Sequence, residues 1–462
     1  MSEILPNQIA HRSQFALFRE RRFWPLFTTQ FFGAFNDNAY KSALLMLFTF
    51  GAASWSSMKA EVLTNLAAGL FILPFFLFSA TSGQLADKFD KARLARLAKA
   101  LEIAIVALAA LGFYGKSLTI LLLALFLLGL QSTLFGPVKY AILPQHLTEG
   151  ELVGGNALVE AGTFIAILLG TVAGGFLITA RGGMVWIIAA CFAAAIIGYW
   201  ASRRIPDAPA PAPEIVVNMN PLSETWRVLN FARGGRSVFL SILGISWFWG
   251  YGSLLLTQFP VYTRDVLRGD EFLVTALLAI FSIGVGAGSL LCDRLTRRCG
   301  KLVEPGLVPL GALGMALAGM NLALIAPDAA NGAVLPPGIL LQDKMVWRAL
   351  ITLFFLGFCG GIYCVPLYAL VQRRSEENFR ARIIAANNVL NAVFMVISAL
   401  FASVFLGTDL GRGMSGALGM SSVSALFMCA AILHGGMSIY IFSVVPEFLR
   451  RAWAWIKGRN GA

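Results

Sequence analysis

Apolar residues fall along the chain in blocks of about 20, the length a helix needs to cross a hydrocarbon core roughly 30 Å thick. The blocks run 24–49, 62–82, 97–114, 118–138, 156–179, 184–201, 237–260, 271–291, 303–326, 348–370, 384–406 and 421–445. No long stretch alternates every second residue, as the strands of a membrane barrel do. The pattern predicts an all-α membrane protein with twelve transmembrane helices. One segment interrupts it. Residues 203–236 contain Pro206, Pro209, Pro211 and Pro213, then a polar run with Arg227, Arg233 and Arg236. That composition reads as an extended linker followed by a short amphipathic piece near Trp226. The chain is thereby divided into an N-terminal segment 1–22, a six-helix bundle 23–202, the linker 203–236, a second six-helix bundle 237–445 and a tail 446–462. In the tail, Phe448, Leu449, Ala452, Trp453 and Ile456 share one helical face. Arg450, Arg451, Lys457 and Arg459 surround that face, the pattern of an interfacial helix.

Composition agrees, with 58% hydrophobic and 13% charged residues. A net charge of +12 raises the question of nucleic acid, but its distribution answers it. Cations cluster at every second junction: Arg19, Arg21 and Arg22; Lys88, Lys91 and Arg93; Arg203 and Arg204; Arg294, Arg297, Arg298 and Lys301; Arg373, Arg374, Arg380 and Arg382; Arg450 and Arg451. The other junctions carry one or two each, such as Lys59, Lys116, Arg181 and Arg412. This is the positive-inside asymmetry, and it predicts cytoplasmic termini and a cytoplasmic linker. The basicity thus reports topology and an affinity for anionic membrane lipids, with no nucleic-acid partner. The first apolar block is too long for a cleavable signal, and no small-residue cleavage site follows it. The six cysteines have no metal spacing, and plain packing in the membrane accounts for them. There is no Gly-rich phosphate loop, which argues against an ATP-driven pump. With three scattered histidines and no paired nucleophile, an enzyme is disfavoured. No metal and no cofactor are implied.

The two halves repeat one another. Gly83-Gln84-Leu85-Ala86-Asp87-Lys88 follows the second block, and Gly288-Ser289-Leu290-Leu291-Cys292-Asp293-Arg294 follows the eighth. Both carry a Gly, a Leu two positions on, and an Asp followed by a cation. Pro137, Tyr140 and Gln145 are matched by Pro366, Tyr368 and Gln372, and Asn156 by Asn387 and Asn388. Parallel six-helix repeats mark the major facilitator fold, and the stretch from Gly83 to Arg93 resembles the signature loop of the major facilitator superfamily. A Gly there lets two helices approach closely, and an Asp caps a helix start and pairs with a cation. Gly83, Asp87 and Arg93, with Asp293 as the second copy, are the expected cytoplasmic gate.

Charges inside a span cost about 2.5–3.5 kcal/mol each on insertion scales, so each is a functional hypothesis. Asp37 lies about 14 residues into the first block, roughly 20 Å along a helix and so near mid-membrane. Lys41 is four residues later on the same face, where the two would partly neutralise each other. They are either a structural pair or a polar cavity wall. Lys139 closes the fourth block and Glu160 lies inside the fifth, with Asn156 and Thr163 on approximately its face; the two charges are expected to pair. Lys99 and Glu102, three apart near the start of the third block, read as a structural pair. The second half offers Trp247-Phe248-Trp249-Gly250-Tyr251 in place of charges.

Several stretches resemble one branch of the superfamily, the bacterial lysophospholipid transporters, which occur alone or as the membrane part of fused acyltransferase and acyl-carrier-protein synthetases. They are Gln30-Phe31-Phe32-Gly33-Ala34-Phe35-Asn36-Asp37-Asn38, Gly136-Pro137-Val138-Lys139-Tyr140-Ala141-Ile142-Leu143, Asn156-Ala157-Leu158-Val159-Glu160-Ala161 and Ile167 to Gly175. The resemblance implies uptake of lysophosphatidylethanolamine from the outer to the inner leaflet of the bacterial inner membrane, for reacylation by an acyltransferase on a separate polypeptide. Lys41 is more like the fused members, and Leu256 stands about where the stand-alone ones carry an Arg. The candidate substrate site is Asp37, Asn38, Lys41, Lys139, Tyr140, Asn156, Glu160, Thr163 and Trp249, with Asp37 and Glu160 also open to a coupling proton or sodium ion. A facilitator-type exporter of drugs or small amphiphiles, or a membrane scaffold for an acyltransferase, would share part of this pattern.

Overall fold

The computed structural model describes residues 13–51, 58–298, 303–325 and 342–457. Each apolar block coincides with a helix. The first half holds α1 (Trp24–Gly51), α2 (Ala60–Lys88), α3 (Lys91–Tyr114), α4 (Leu118–His146), α5 (Leu152–Thr179) and α6 (Gly183–Ser202). A linker helix α7 (Pro221–Gly234) leads into α8 (Arg236–Asp265), α9 (Glu271–Arg298), α10 (Leu307–Ala323), α11 (Lys344–Arg374) and α12 (Arg380–Gly407). A short α13 (Asp409–Leu418), then α14 (Ser422–Val444) and α15 (Glu447–Ile456), complete it. Helix starts are set by side-chain caps that satisfy otherwise orphaned N–H groups. Asp90 accepts from Arg93 N at α3, Asn220 from Ser223 N at α7, Asp343 from Met345 N at α11 and Ser421 from Ser424 N at α14.

Nine of the described helices are long and apolar enough to cross a membrane. The remaining three blocks have identifiable reasons for falling short. In α1 the run Asn36 to Lys41 is polar, α3 opens with Lys91, Arg93, Arg96, Lys99 and Glu102, and α10 has only 17 residues. The outward faces are apolar: Phe176 is 73% exposed and Ile439 72% exposed, with Trp186, Leu111 and Leu400 alongside. A water-facing surface rarely carries apolar area on that scale.

Within the first half, α1 packs on α5 and α6, and α4 on α2 and α3. Within the second, α11 packs on α9 and α10, and α8 on α12. The halves meet chiefly through α2 against α12 and α5 against α9, with α4–α12 and α5–α11 behind them. The linker is laid along the α2–α3 turn rather than hanging free. Asn218 N donates to Gln84 Oε1 (2.7 Å), Ala212 N to the Asp87 carbonyl (3.0 Å) and Lys88 Nζ to the Ile215 carbonyl (2.8 Å). The tail departs from the sequence reading. Phe448 and Ala452 are buried against the bundle, and Arg451 Nη2 reaches Glu304 Oε2 (2.9 Å). Of the five apolar residues of that face, Leu449, Trp453 and Ile456 remain exposed. The predicted single face is thus shared between the protein and its surroundings, because α15 docks on α10. Arg459 and Cys299 lie outside the described residues.

The start of α1 is tied to the α4–α5 turn by a forked ion pair, Arg22 Nη2 to Glu151 Oε1 (2.6 Å) and Arg22 Nη1 to Glu151 Oε2 (2.7 Å). The Arg22 hydrogen bonds hold the Glu151 carboxyl down at about 2, below its ordinary 4.5. A depressed carboxyl stabilises the fold above its unfolded value and loses that contribution as pH falls through the folded one. The difference in melting temperature between wild type and Glu151→Gln is therefore expected to be constant from pH 8 to 5, then to shrink below about 4.5. Differential scanning fluorimetry across that range checks it; a difference that grows on acidification contradicts the pairing.

Candidate substrate site and the seam between the halves

Hydrogen bonds and ion pairs between the halves cluster at the end of the helices that carries the linker. Asp87, at the end of α2, accepts from Ala381 N (3.2 Å) and Arg382 N (3.4 Å), the first residues of α12, and from Arg382 Nε (2.9 Å). The carboxylate is fully buried there. It caps the α12 start and neutralises a cation in one contact. Gly83, one turn earlier, makes this approach possible: a Cβ there would lie 2.6 Å from Ala385 Cβ and 2.9 Å from Arg382 Cα. Arg93 takes no part; its side chain is exposed and only its backbone N–H is engaged, by Asp90. Asp293 lies against Gly154 of α5 but pairs within its own helix, with Arg297 Nε (2.8 Å). The two copies of the loop signature thus differ, since Asp87 bonds across the seam and Asp293 beside it.

A second seam contact joins the repeated Asn and Gln. Asn156 Nδ2 donates to Gln372 Oε1 (2.6 Å), and Gln372 Nε2 donates to the Tyr140 carbonyl (3.0 Å). Asn156 is therefore a latch residue. Above it, the Tyr140 and Tyr368 rings stack at 4.5 Å with an interplanar angle of 7°. Further along, Trp249 stacks on Phe164 (5.7 Å) and donates from Nε1 to the Tyr368 hydroxyl (3.2 Å). Trp247 donates to Nδ1 of the buried His434 (2.9 Å). These tryptophans are held by packing and hydrogen bonds rather than presented as a bare aromatic wall.

The interior of the first half holds three carboxylates and three lysines. One pair closes: Lys99 Nζ to Glu102 Oε2 at 2.6 Å, both side chains fully buried. Among the described residues, no ion pair joins Asp37 to Lys41 or Glu160 to Lys139, contrary to the sequence expectation. Helix packing explains both. Asp37 faces α4, where Ser132 Oγ donates to its Oδ2 (2.5 Å), while Lys41 faces α2 and sits over the Phe71 ring at 5.2 Å. Glu160 accepts from the Tyr140 hydroxyl, and Lys139 lies over the Tyr140 ring at 4.7 Å. The second oxygens, Asp37 Oδ1 and Glu160 Oε2, are buried without a hydrogen-bond partner among the described residues. Asn38 donates one amide hydrogen back to the Ala34 carbonyl (2.8 Å), and the single Thr163 hydroxyl hydrogen is shared between Gln30 Oε1 (3.0 Å) and its own helix, so Thr163 presents no free donor.

The structure adds residues that sequence reasoning missed. Asn36 Nδ2 donates to Glu102 Oε1 (2.7 Å) and Gln131 Nε2 to Glu102 Oε2 (3.3 Å), while Ser132, next in the chain, reaches Gln131 Oε1 (3.3 Å) as well as Asp37. One hydrogen-bonded network therefore runs from the Lys99–Glu102 pair to Asp37. The i, i+3 pair was readable; that Asn36 would complete it was not. Gln131 also floors an apolar groove of about 490 Å³ between α2, α3 and α4, lined by Phe78, Ser82, Leu101 and Leu134 among others. None of the predicted site residues lines that groove.

A pair of helical halves latched at one end, with unpaired charges beyond the latch, is the architecture of a membrane transporter, and the comparisons agree. The model of the Major Facilitator Superfamily matches residues 26–399, and the chain belongs to that superfamily. It is a membrane transporter and not an enzyme. Among curated relatives, it is 30% identical over 390 residues to the Lysophospholipid transporter LplT of Serratia proteamaculans (strain 568), covering 81% of this chain and 86% of that one. The LplT of Enterobacter sp. (strain 638) is 30% identical over 392 residues, with the same coverages. Of solved structures, the human organic anion transporter MFSD10 (TETRAN) aligns with a TM-score of 0.68 at 14% identity, over 91% of this chain and 99% of that one. A bacterial homologue of iron transporter ferroportin in an outward-facing state aligns at 0.60 and 14% identity, over 90% and 99%. These two show the shared fold.

Removing one partner of a buried ion pair costs about 3–5 kcal/mol, because the other charge is left uncompensated. Asp87→Asn is therefore expected to loosen the seam and impair transport severely, and Asp293→Asn mildly, with both proteins folded. Crosslinking of cysteines placed at Glu149 and Arg373, whose side chains meet across the same seam (3.3 Å), in a background without the native cysteines, reports the seam directly. Equal crosslinking in both variants would contradict the assignment.

Proposed function

We propose that the chain is a lysophospholipid transporter of the bacterial inner membrane, with twelve spans in two six-helix bundles and both termini and the linker cytoplasmic. In that orientation the latched end is the cytoplasmic one, and the site beyond it faces the outer leaflet. The observation that carries the reading is the charge count of the first-half interior. Two carboxylates and two lysines remain after Lys99 and Glu102 have paired. A zwitterionic head group supplies one cation and one anion. Such a head crosses hydrocarbon slowly because both charges lose water on the way. Asp37 Oδ1 or Glu160 Oε2 receives the ammonium; Lys139 or Lys41 receives the phosphate as a point charge. The names of the curated relatives support the substrate class. The favoured substrate is lysophosphatidylethanolamine, moved from the outer to the inner leaflet, where a separate acyltransferase would restore its second chain.

Transport then requires the seam to open and the far side to close, by rocking of one half against the other. Asp87–Arg382 and Asn156–Gln372 are the contacts that must part. Asp37 and Glu160 are also the groups through which a proton or sodium gradient would act.

Proteoliposomes with head-group-labelled lysophosphatidylethanolamine test this. Wild type is expected to move label between leaflets. A hydrogen bond to a charged group contributes about 1.5–3 kcal/mol, so Asp37→Ala and Glu160→Ala should slow movement by roughly tenfold or more without loss of folded protein. Wild-type vesicles that translocate no lysolipid under any proton or sodium gradient would overturn the reading in favour of an exporter of other amphiphiles or a scaffold.

A further inference from the structure

The repeat places an amide where its partner half has an acid. Glu160 follows Tyr140 by 20 residues. Asn388 follows Tyr368 at the same interval. Tyr140 and Tyr368 stack on each other across the seam. Glu160 and Asn388 therefore occupy corresponding places in the two halves, each eight residues after its helix begins, one on α5 and one on α12. The sequence repeat matched Asn388 to Asn156. The register set by the stacked tyrosines matches it to Glu160 instead.

The surroundings of Asn388 fit a ligand contact. Its Nδ2 is buried and has no hydrogen-bond partner among the described residues. It lies against α4 at Gly136, where a Cβ would come within 2.6 Å of it. Gly136 is one turn before Lys139 and Tyr140, so the amide adjoins the face of α4 that carries both. One turn further along α12, Asn391 Oδ1 accepts from Ser246 Oγ of α8 (2.8 Å), which fixes that side chain by its oxygen and leaves its N–H donors uncommitted to that bond. A buried amide donor without an acceptor costs free energy unless a partner arrives. The two amides belong to the second half, and Lys139 and Glu160, both held on Tyr140, to the first, so the site draws its donors from both sides of the seam and its carboxylate from one.

We propose that Asn388, with Asn391 beside it, is the second half's contribution to head-group recognition, donating to the phosphate oxygens alongside Lys139 while Glu160 takes the ammonium. This rests on the lysophospholipid reading and adds to it which group of the head faces which half. Binding of the phosphate by both halves at once would also couple occupancy to their relative position. The asymmetry between Glu160 and Asn388 then orients the substrate, since two acids at these places would repel the phosphate.

The test is a substitution series at Asn388, read as initial rates of lysophosphatidylethanolamine translocation. Asn388→Ala is expected to raise KM about tenfold with kcat within about twofold, the size expected for a lost hydrogen bond to a charged group. Asn388→Asp, nearly isosteric, should be worse than Asn388→Ala, and Asn388→Ser should recover part of the loss. If the side chain merely packs against Gly136, the order reverses and Asp outperforms Ala, which would overturn the proposal. If the Asp variant fails to fold, the Ala-to-Ser comparison decides: equal KM values for the two contradict a donor role. Wild type that moves no lysolipid defeats the underlying reading instead, and shows itself before any variant is compared.

Discussion

A charge surrounded by hydrocarbon persists only where a partner compensates it, and the arrangement of the first half follows from that constraint. Three acids and three lysines lie in its interior, yet Lys99 and Glu102 alone close as an ion pair among the described residues. That pair is held by Asn36 and Gln131, and the same network continues through Ser132 to Asp37. The pair is thus the fixed end of a polar chain whose other end is a carboxylate with a free oxygen. Gly33 completes the arrangement by leaving room for the Lys99 ammonium. The remaining charges are held by aromatic faces and single hydroxyls, contacts weak enough for a substrate to replace.

The seam obeys the same constraint with the opposite outcome. Asp87 is satisfied by Arg382 and by two backbone N–H groups, so its contact is strong while the halves are together. Asn156 and Gln372 exchange hydrogen bonds and are likewise saturated. Closed contacts at one end and under-satisfied polar groups beyond them are what the proposed alternating access needs. Binding energy gathered from the unsatisfied groups can offset the loss of the satisfied ones. The linker strengthens the arrangement, because Asn218 and Ile215 bind α2 within one turn of Asp87.

Much of the fold was legible because hydrophobic blocks set helix positions, and every block became a helix. The boundaries moved outward where polar residues extend helices past the apolar run, as in α4, which continues through Pro144 to His146. Pairings within one helix turn were half legible. Lys99–Glu102 formed, but Asp37 and Lys41, equally well spaced, did not, because α4 offers Asp37 a hydroxyl and α2 offers Lys41 a ring. Contacts across the chain were out of reach. Asn156 and Gln372 were each singled out as repeat positions, but 216 residues separate them and nothing in their spacing shows that they meet. The tail was legible in part for a related reason: amphipathicity shows that a face is apolar, and the neighbouring helix decides how much of that face remains exposed.

The central claim is that the unpaired interior charges hold a zwitterion, one end against carboxylate and the other against lysine. The most direct measurement is the affinity of the purified protein for three amphiphiles with one acyl chain in common: lysophosphatidylethanolamine, the same molecule without its ethanolamine, and the same molecule without its phosphate. The account predicts that each deletion weakens binding by roughly tenfold or more, since each strands a charged group that the missing end would have met. Equal affinities for all three would show that the acyl chain alone is recognised, and would contradict it.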